Sequence, residues 1–244
     1  MSRGRYPRRI KLKGLDLTRL DRYLDIWDPA DLHFRPESFP LLDSVSLFGS
    51  TATLSLDLGC GTGEFLCGLA RSKAEEFFLG IDSAKKPLIR AAVQAADLGL
   101  ENVRFLRADF RQAVRRMKAE SFAAVYLQFP LPGSTAQGYR PRIFDPEFVR
   151  EVHRVLAPGG RLSVLTDREP AWREMIRLLE RVGGFDQIQE TEFEVQIEGD
   201  LRSHNYSVWT GRGYTPYQFE AVKSAVTRID RFEPSGGIHG SIGN

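Results

Sequence analysis

The clearest chemical signal in the chain is a run of glycines behind an acid, Leu56-Asp57-Leu58-Gly59-Cys60-Gly61-Thr62-Gly63-Glu64. Without a Cβ, glycine lets the backbone turn sharply and approach a ligand closely. An apolar stretch precedes the run and a helical pattern follows it. That is the setting of a nucleotide-binding turn, in which free helix amides face a ligand. Two more acids close apolar runs. Phe78-Leu79-Gly80-Ile81-Asp82 puts Asp82 19 residues past Gly63, and Arg107-Ala108-Asp109-Phe110 puts Asp109 beyond the next run. A dinucleotide would want a third glycine where Glu64 stands. A carboxylate there repels a pyrophosphate seated on the helix N-terminus. A ligand carrying an ammonium and a sulfonium instead of phosphates tolerates acids. The pattern therefore predicts S-adenosylmethionine (SAM). Asp57 would serve the methionine ammonium, Asp82 the ribose hydroxyls and Asp109 the adenine amino group, with Gly59, Gly61 and Gly63 giving close backbone approach. Phe110, beside Asp109, and Gln128, near the end of the fourth strand, complete the predicted cofactor set. A lone glycine loop is often only a turn, and a lone Asp is often a helix cap. Three such features at successive strand ends argue for a site, because ligands of open α/β sheets bind there.

These residues need strands and helices in alternation to bring them together, and the chain supplies them. Strands are predicted at 53–58, 77–81, 103–106, 123–129 and 161–165, with helices near 64–71, 85–97, 110–118, 145–156 and 170–182. Repeated strand-helix units with right-handed crossovers give an α/β fold. The expected fold is Rossmann-like, a mainly parallel sheet with helices on both faces. After Gly183-Gly184, residues 185–197 and 205–210 alternate like strands and predict an antiparallel edge pair at the C-terminal end. Residues 214–229 read as a closing helix, with Thr215 as cap and Pro216 in the first turn. The expected organisation is a basic N-terminal arm and short helix over 1–50, a catalytic domain over 51–232 and a tail over 233–244.

Composition narrows the partners. With 244 residues, 42% hydrophobic and 27% charged, the chain is ordinary for a globular protein. No apolar run suits a membrane span and no signal peptide is read, so no membrane partner is expected and the expected compartment is the cytoplasm. Cys60 and Cys67 are too few for a disulfide framework. His33, His153, His204 and His239 lack metal-ligand spacing, so no metal is expected. Net charge is only +2, but residues 1–22 carry Arg3, Arg5, Arg8, Arg9, Lys11, Lys13, Arg19 and Arg22 against Asp16 and Asp21. Such an arm is either a phosphate-binding element or a solvated terminus.

With these residues in view, positions 54 to 212 resemble the bacterial tRNA (guanine-N7)-methyltransferases. Asp57, Asp82 and Asp109 match that family's cofactor acids. Arg142-Ile143-Phe144-Asp145-Pro146-Glu147-Phe148 resembles its segment before the fourth crossover helix. Leu156-Ala157-Pro158-Gly159-Gly160 with Leu165-Thr166-Asp167 resembles its fifth strand unit, and Thr191-Glu192-Phe193-Glu194 its late T-x-F-E motif. The resemblance implies a class I SAM-dependent methyltransferase. It makes Asp167 and Glu194 the catalytic candidates. It makes Leu131, Arg140, Arg142, Asp167, Thr191, Phe193 and Glu194 the substrate contacts. Two positions depart from the pattern. The family's F-P-D-P-W reads Phe129-Pro130-Leu131-Pro132-Gly133 here, and its strongly basic loop is reduced to Arg140 and Arg142.

Three functions follow. The first is methylation of tRNA at guanine N7, with the basic arm offsetting the thin loop. The second is methylation of a small purine-like nitrogen heterocycle in a Leu131-lined pocket, stacked by Tyr139, Tyr206 or Trp209. The third is a catalytically silent SAM-binding partner protein.

Overall fold

The computed structural model describes residues 19–27, 42–130, 143–191 and 216–224, together with 34, 35, 37, 39 and 211. Residues 134–135, 138–139 and 187–191 are described by backbone alone. A 3-10 turn at Leu20–Arg22 leads into β1 (Leu24–Ile26), and α1 (Ser44–Phe48) follows. The alternating unit then runs β2 (Leu54–Leu58), α2 (Glu64–Ser72), β3 (Phe77–Asp82), α3 (Lys85–Asp97), β4 (Val103–Arg107), α4 (Phe110–Val114) and β5 (Phe122–Gln128). A small ladder of β6 (Ser134–Thr135) and β7 (Gly138–Tyr139) precedes α5 (Pro146–Val155), β8 (Leu156–Thr166), α6 (Glu169–Val182), β9 (Phe185–Thr191) and β10 (Tyr217–Lys223).

Among the described residues the main sheet has eight strands, in the order β1-β4-β3-β2-β5-β8-β10-β9. Strands β1 to β8 of that order run parallel, and β10 lies antiparallel between β8 and β9. The order reverses direction between β2 and β5. At such a switch the crossover helices leave to opposite faces and a crevice opens at the strands' carboxyl ends.

Two apolar clusters cover the two faces. Leu54, Leu56 and Leu58 of β2 meet α4, α5 and α6 through residues such as Phe148, Val152, Met175 and Leu179. On the other face Phe78, Val103 and Phe105 meet Phe65, Leu66 and Leu69 of α2 and Leu88 and Ala91 of α3. Every residue of β2 is buried, as a central parallel strand flanked by helices requires. The stripe Trp172, Met175, Leu179 and Val182 gives α6 one buried face at helical spacing.

The C-terminal pair exists, but its inner member is β10. The expected helix over 214–229 is therefore corrected, because residues 217–223 are a strand. Six registered pairs, from Tyr217 opposite Thr166 to Val222 opposite Arg161, join β10 to β8. The physical reason is the open edge of β8. Its unpaired amides and carbonyls outweigh a local helix signal, and a proline also suits the approach to a strand. The strand expected at 205–210 lies outside the described residues, as do the tail and residues 1–18. The strand expected at 161–165 begins earlier, at Leu156. No strand is expected before residue 53, yet β1 pairs with β4, and Leu20, Tyr23, Phe39 and Leu42 are buried. Among the described residues no helix is long and apolar enough to cross a membrane.

Candidate functional site

The glycine run forms a tight turn at the carboxyl end of β2. Gly59, Gly61 and Gly63 have φ of +83°, +61° and +78°. Gly59 and Cys60 both donate their amides to the Ile81 carbonyl, at 2.7 and 3.1 Å, so the turn is laid against β3. Close packing holds it there. A Cβ at Gly63 would fall 2.6 Å from Ala91 Cβ, and one at Gly80 would fall 2.8 Å from Cys60 Sγ. Sequence reasoning did not single out Gly80. Its signal was a glycine inside an apolar strand, which marks a close approach, here of the Cys60, Phe105 and Leu66 side chains. Thr62 Oγ1 donates to Glu64 Oε2 at 2.6 Å where α2 begins.

Two of the three acids converge beside this turn. Asp82, at 1% exposure, accepts the Gly61 amide at 3.1 Å on one oxygen and the Ala84 amide at 2.8 Å on the other. It thereby ties the glycine turn to the start of α3. Asp57, at 2% exposure, sits between Gly80 of β3 and Tyr126 of β5, and its Oδ1 has no hydrogen-bond partner among the described residues. Burial, reinforced by the charge of Asp82, pushes the Asp57 carboxyl up to about 8. A cation placed beside it would favour the charged form. Asp109 stands at the next strand end, where Ala108 donates its amide to the Asp82 carbonyl at 3.1 Å. Asp109 is exposed and caps α4 by accepting the Arg111 amide at 3.0 Å, which leaves acceptor capacity for a ligand. Phe110 behind it is a core residue, its ring edge-on to Phe148.

The other half of the edge carries the remaining candidates. Gln128 is half-buried at the end of β5, opposite Leu165 of β8. Beyond it Phe129 has a φ of +50° and donates its amide to the Leu165 carbonyl at 2.6 Å. Asp167 is half-buried directly after β8. Thr191 closes β9 opposite Gln218 of β10, while Tyr217 lies opposite Thr166 of β8. The register thus brings Thr191, the first residue of the late motif, to the same edge as Asp167. Leu131, Arg140, Arg142, Phe193 and Glu194 lie outside the described residues.

Other groups are occupied elsewhere. Asp145 accepts the Phe148 amide at 2.9 Å as cap of α5 and pairs with Arg111, which anchors it at the start of that helix. His153 is buried beside Phe185, and burial holds its imidazole below the usual value. Cys60 and Cys67 are free thiols. Among the described residues no cluster of His, Cys, Asp and Glu could hold a metal.

Comparison with known proteins gives the family. A family described as "Putative methyltransferase" matches residues 51–208. A tRNA (guanine-N(7)-)-methyltransferase of Rubrobacter xylanophilus is 38% identical over 215 residues, covering 88% of this chain and 96% of its own. One of Chloroflexus aggregans is 36% identical over 213 residues, covering 87% and 94%. The chain belongs to the tRNA (guanine-N7)-methyltransferase family. As a family member it is a SAM-dependent methyltransferase. Among solved structures, the 16S rRNA methyltransferase KamB aligns with a TM-score of 0.53 at 16% identity, over 73% of this chain and 91% of that one. That likeness places the family member's sheet among methyltransferase folds.

Proposed function

We propose that the protein methylates N7 of a guanine in tRNA, using SAM held along the carboxyl edge of β2, β3 and β4. The observation that carries this reading is the buried, unpartnered oxygen of Asp57 under a glycine turn, with Asp82 and Asp109 at the next two strand ends. A buried polar atom with no partner asks for a ligand group, and an acid asks for a cation. Asp57 would meet the methionine ammonium, Asp82 the ribose hydroxyls through its remaining lone pairs, and Asp109 the adenine amino group. Gly59, Gly61 and Gly63 leave the backbone open to close approach, and Gln128 borders the methionine end. Phe110 supports Asp109 from the core.

SAM supplies an electrophilic methyl carbon, and guanine N7 offers a lone pair with no proton to remove. The chain's part is therefore alignment, which is worth up to roughly 7–11 kcal/mol in favourable cases. No general base is required, and Leu131 in place of the family acid is compatible with that chemistry. Asp167 and Glu194 would orient the base and offset charge developing on its ring. Thr191 and Phe193 would contact the nucleoside, and Arg140 and Arg142 the phosphates. Residues 51–232 form the catalytic unit in this reading, with 1–50 as basic arm and 233–244 as tail. The cytoplasm holds both tRNA and SAM and is the proposed compartment.

The test offers isotope-labelled SAM with unmodified tRNA and, in parallel, with free purines, followed by nucleoside mass spectrometry. Label in 7-methylguanosine of tRNA supports the proposal. Leu131 and the thin loop favour one competitor, and label found only in free purines would replace tRNA with a small heterocycle. SAM binding with no turnover on either would leave a silent binding partner.

A further inference from the structure

Helix α3 carries its charges in the reverse order to the other long helices. A helix favours acids in its first turn and bases in its last, because its peptide dipoles leave the start positive and the end negative. Helix α2 obeys with Glu64 and Arg71, α5 with Glu147 and Arg154, and α6 with Glu169 and Arg181. Helix α3 opens on Lys85 and Lys86, has no acid in its first turn and no base in its last, and closes on Asp97. Arg90 stands one turn beyond Lys86, where like charges repel. No acid occurs between Asp82 and Asp97. Of those two, the first is buried and the second pairs with Arg19.

Lys85, Lys86 and Arg90 are exposed, and none of them forms an ion pair among the described residues. Arg107 joins them from β4. It stands opposite Asp82 in the ladder, and its Nε donates to the Ser83 carbonyl at 3.4 Å, two residues before Lys85. It too has no ion pair among the described residues. The helix amides are not the attraction, since the Ala84 amide is already given to Asp82. Four side chains from two elements make the surface. Folding gains nothing from this charge order, and natural proteins break such rules at functional sites. An anionic partner would gain from it. The position says which one. The surface starts at the carboxyl ends of β3 and β4, beside the glycine turn where the proposed substrate is methylated. A tRNA presenting a base to that edge carries phosphates on either side of it. We propose that Lys85, Lys86, Arg90 and Arg107 form a docking surface for the phosphate backbone of the tRNA, on the outer flank of the cofactor site. This deepens the tRNA reading above and rests on it.

The test measures tRNA binding and methylation by the full chain, with an unmodified transcript and labelled SAM. One variant combines Lys85→Gln, Lys86→Gln and Arg90→Gln. Its control combines Arg71→Gln, Arg177→Gln and Arg181→Gln, which remove the same charge from exposed positions in the later turns of α2 and α6. Each phosphate contact contributes about 0.7–0.9 to the salt slope of log affinity. Three lost contacts should therefore weaken binding about 10- to 100-fold at low salt and flatten the slope by about 2–3. KM for tRNA should rise in step, while kcat and SAM affinity stay within about twofold, as for a contact held equally in ground and transition states. The melting temperature should not fall, since repulsion at the helix start is relieved. Lys85→Arg, Lys86→Arg and Arg90→Lys together should bind like the wild type. An unchanged slope in the first variant overturns the inference, as does an equal loss in the control. A wild-type chain that binds tRNA through this surface without methylating it overturns the functional reading and leaves the surface standing. A wild-type chain that binds no tRNA overturns both.

Discussion

Asp57 trades stability for a binding site. Its carboxyl is raised from the usual 3.8 to about 8, first by burial and then by Asp82. A raised folded-state value means that the folded protein holds a proton that the unfolded chain releases. Stability is then greatest below pH 4 for this group, declines as pH rises between about 4 and 8, and is flat above that window. Each unit of displacement corresponds to about 1.4 kcal/mol, so the total effect is on the order of a few kcal/mol. Asp57→Asn removes the titrating group and keeps the shape. Its melting temperature, followed by thermal denaturation at stepped pH, should change less between pH 5 and 8 than that of the wild type and exceed it at pH 8. Its SAM affinity should fall by an order of magnitude or more as a charged contact is lost. Matching pH profiles for the two proteins would show that Asp57 is not raised. Asp82 makes the complementary case. Asp82→Ala removes both the proposed ribose acceptor and the acceptor that holds the Gly61 and Ala84 amides. Calorimetry should show severely weakened SAM binding, and undiminished affinity would move the cofactor elsewhere.

At the level of elements, the glycine turn separates conformational cost from steric cost. Gly59 and Gly63 both have left-handed φ, but a Cβ at Gly59 meets nothing within 4 Å while one at Gly63 meets Ala91. Gly59→Ala should cost about 1–2 kcal/mol from backbone strain alone. Gly63→Ala adds overpacking and should cost about 2–4 kcal/mol, a fall of about 5–15 °C in the melting temperature. Adding Ala91→Gly should return the steric part to Gly63→Ala and bring nothing to Gly59→Ala. Equal melting temperatures for the two alanine variants would contradict the packing of the turn on α3. These positions also show why some elements could be read from sequence and others could not. Leu54–Leu58, Phe77–Asp82 and Lys85–Asp97 carry strong local patterns that agree with their tertiary setting, so strand ends and acids were found together. Strand β10 was misread because Thr215 and Pro216 resemble a helix start, while the deciding partner, the open edge of β8, is some fifty residues earlier in the chain. Strand β1 has three residues and alternation too short to register, and its cause is the free edge of β4. The left-handed turn at Phe129 has no sequence signal at all, because phenylalanine is a residue that such a turn normally excludes.

Over the whole molecule, charge is placed asymmetrically with respect to the cofactor edge. Arg19 and Arg22 are engaged locally, with Asp97 at the end of α3 at 2.8 Å and Glu101 before β4 at 2.9 Å. These pairs fix the start of the described fold at the amino ends of the strands, opposite the glycine turn. Residues 1–18 retain six basic side chains against one acid, Arg3, Arg5, Arg8, Arg9, Lys11 and Lys13 against Asp16, a net of +5. Strand β4 is only about 17 Å long, and eighteen residues reach up to roughly 60 Å when extended, so a long polyanion bound at the carboxyl edge lies within range of the arm. Removing residues 1–18 should leave SAM affinity and melting temperature close to wild type, since β1 and the buried Leu20 and Tyr23 remain. It should weaken tRNA binding at low salt. Each phosphate neutralised contributes about −0.9 to the slope of log affinity against log salt, or about −0.7 for single strands, so the truncated chain should show a slope shallower by about 3–5. Filter-binding titrations across a salt series measure both slopes directly. Parallel lines would mean that the arm takes no part in holding the nucleic acid, and the thin Arg140–Arg142 loop and the cations of α3 would then have to account for the affinity between them.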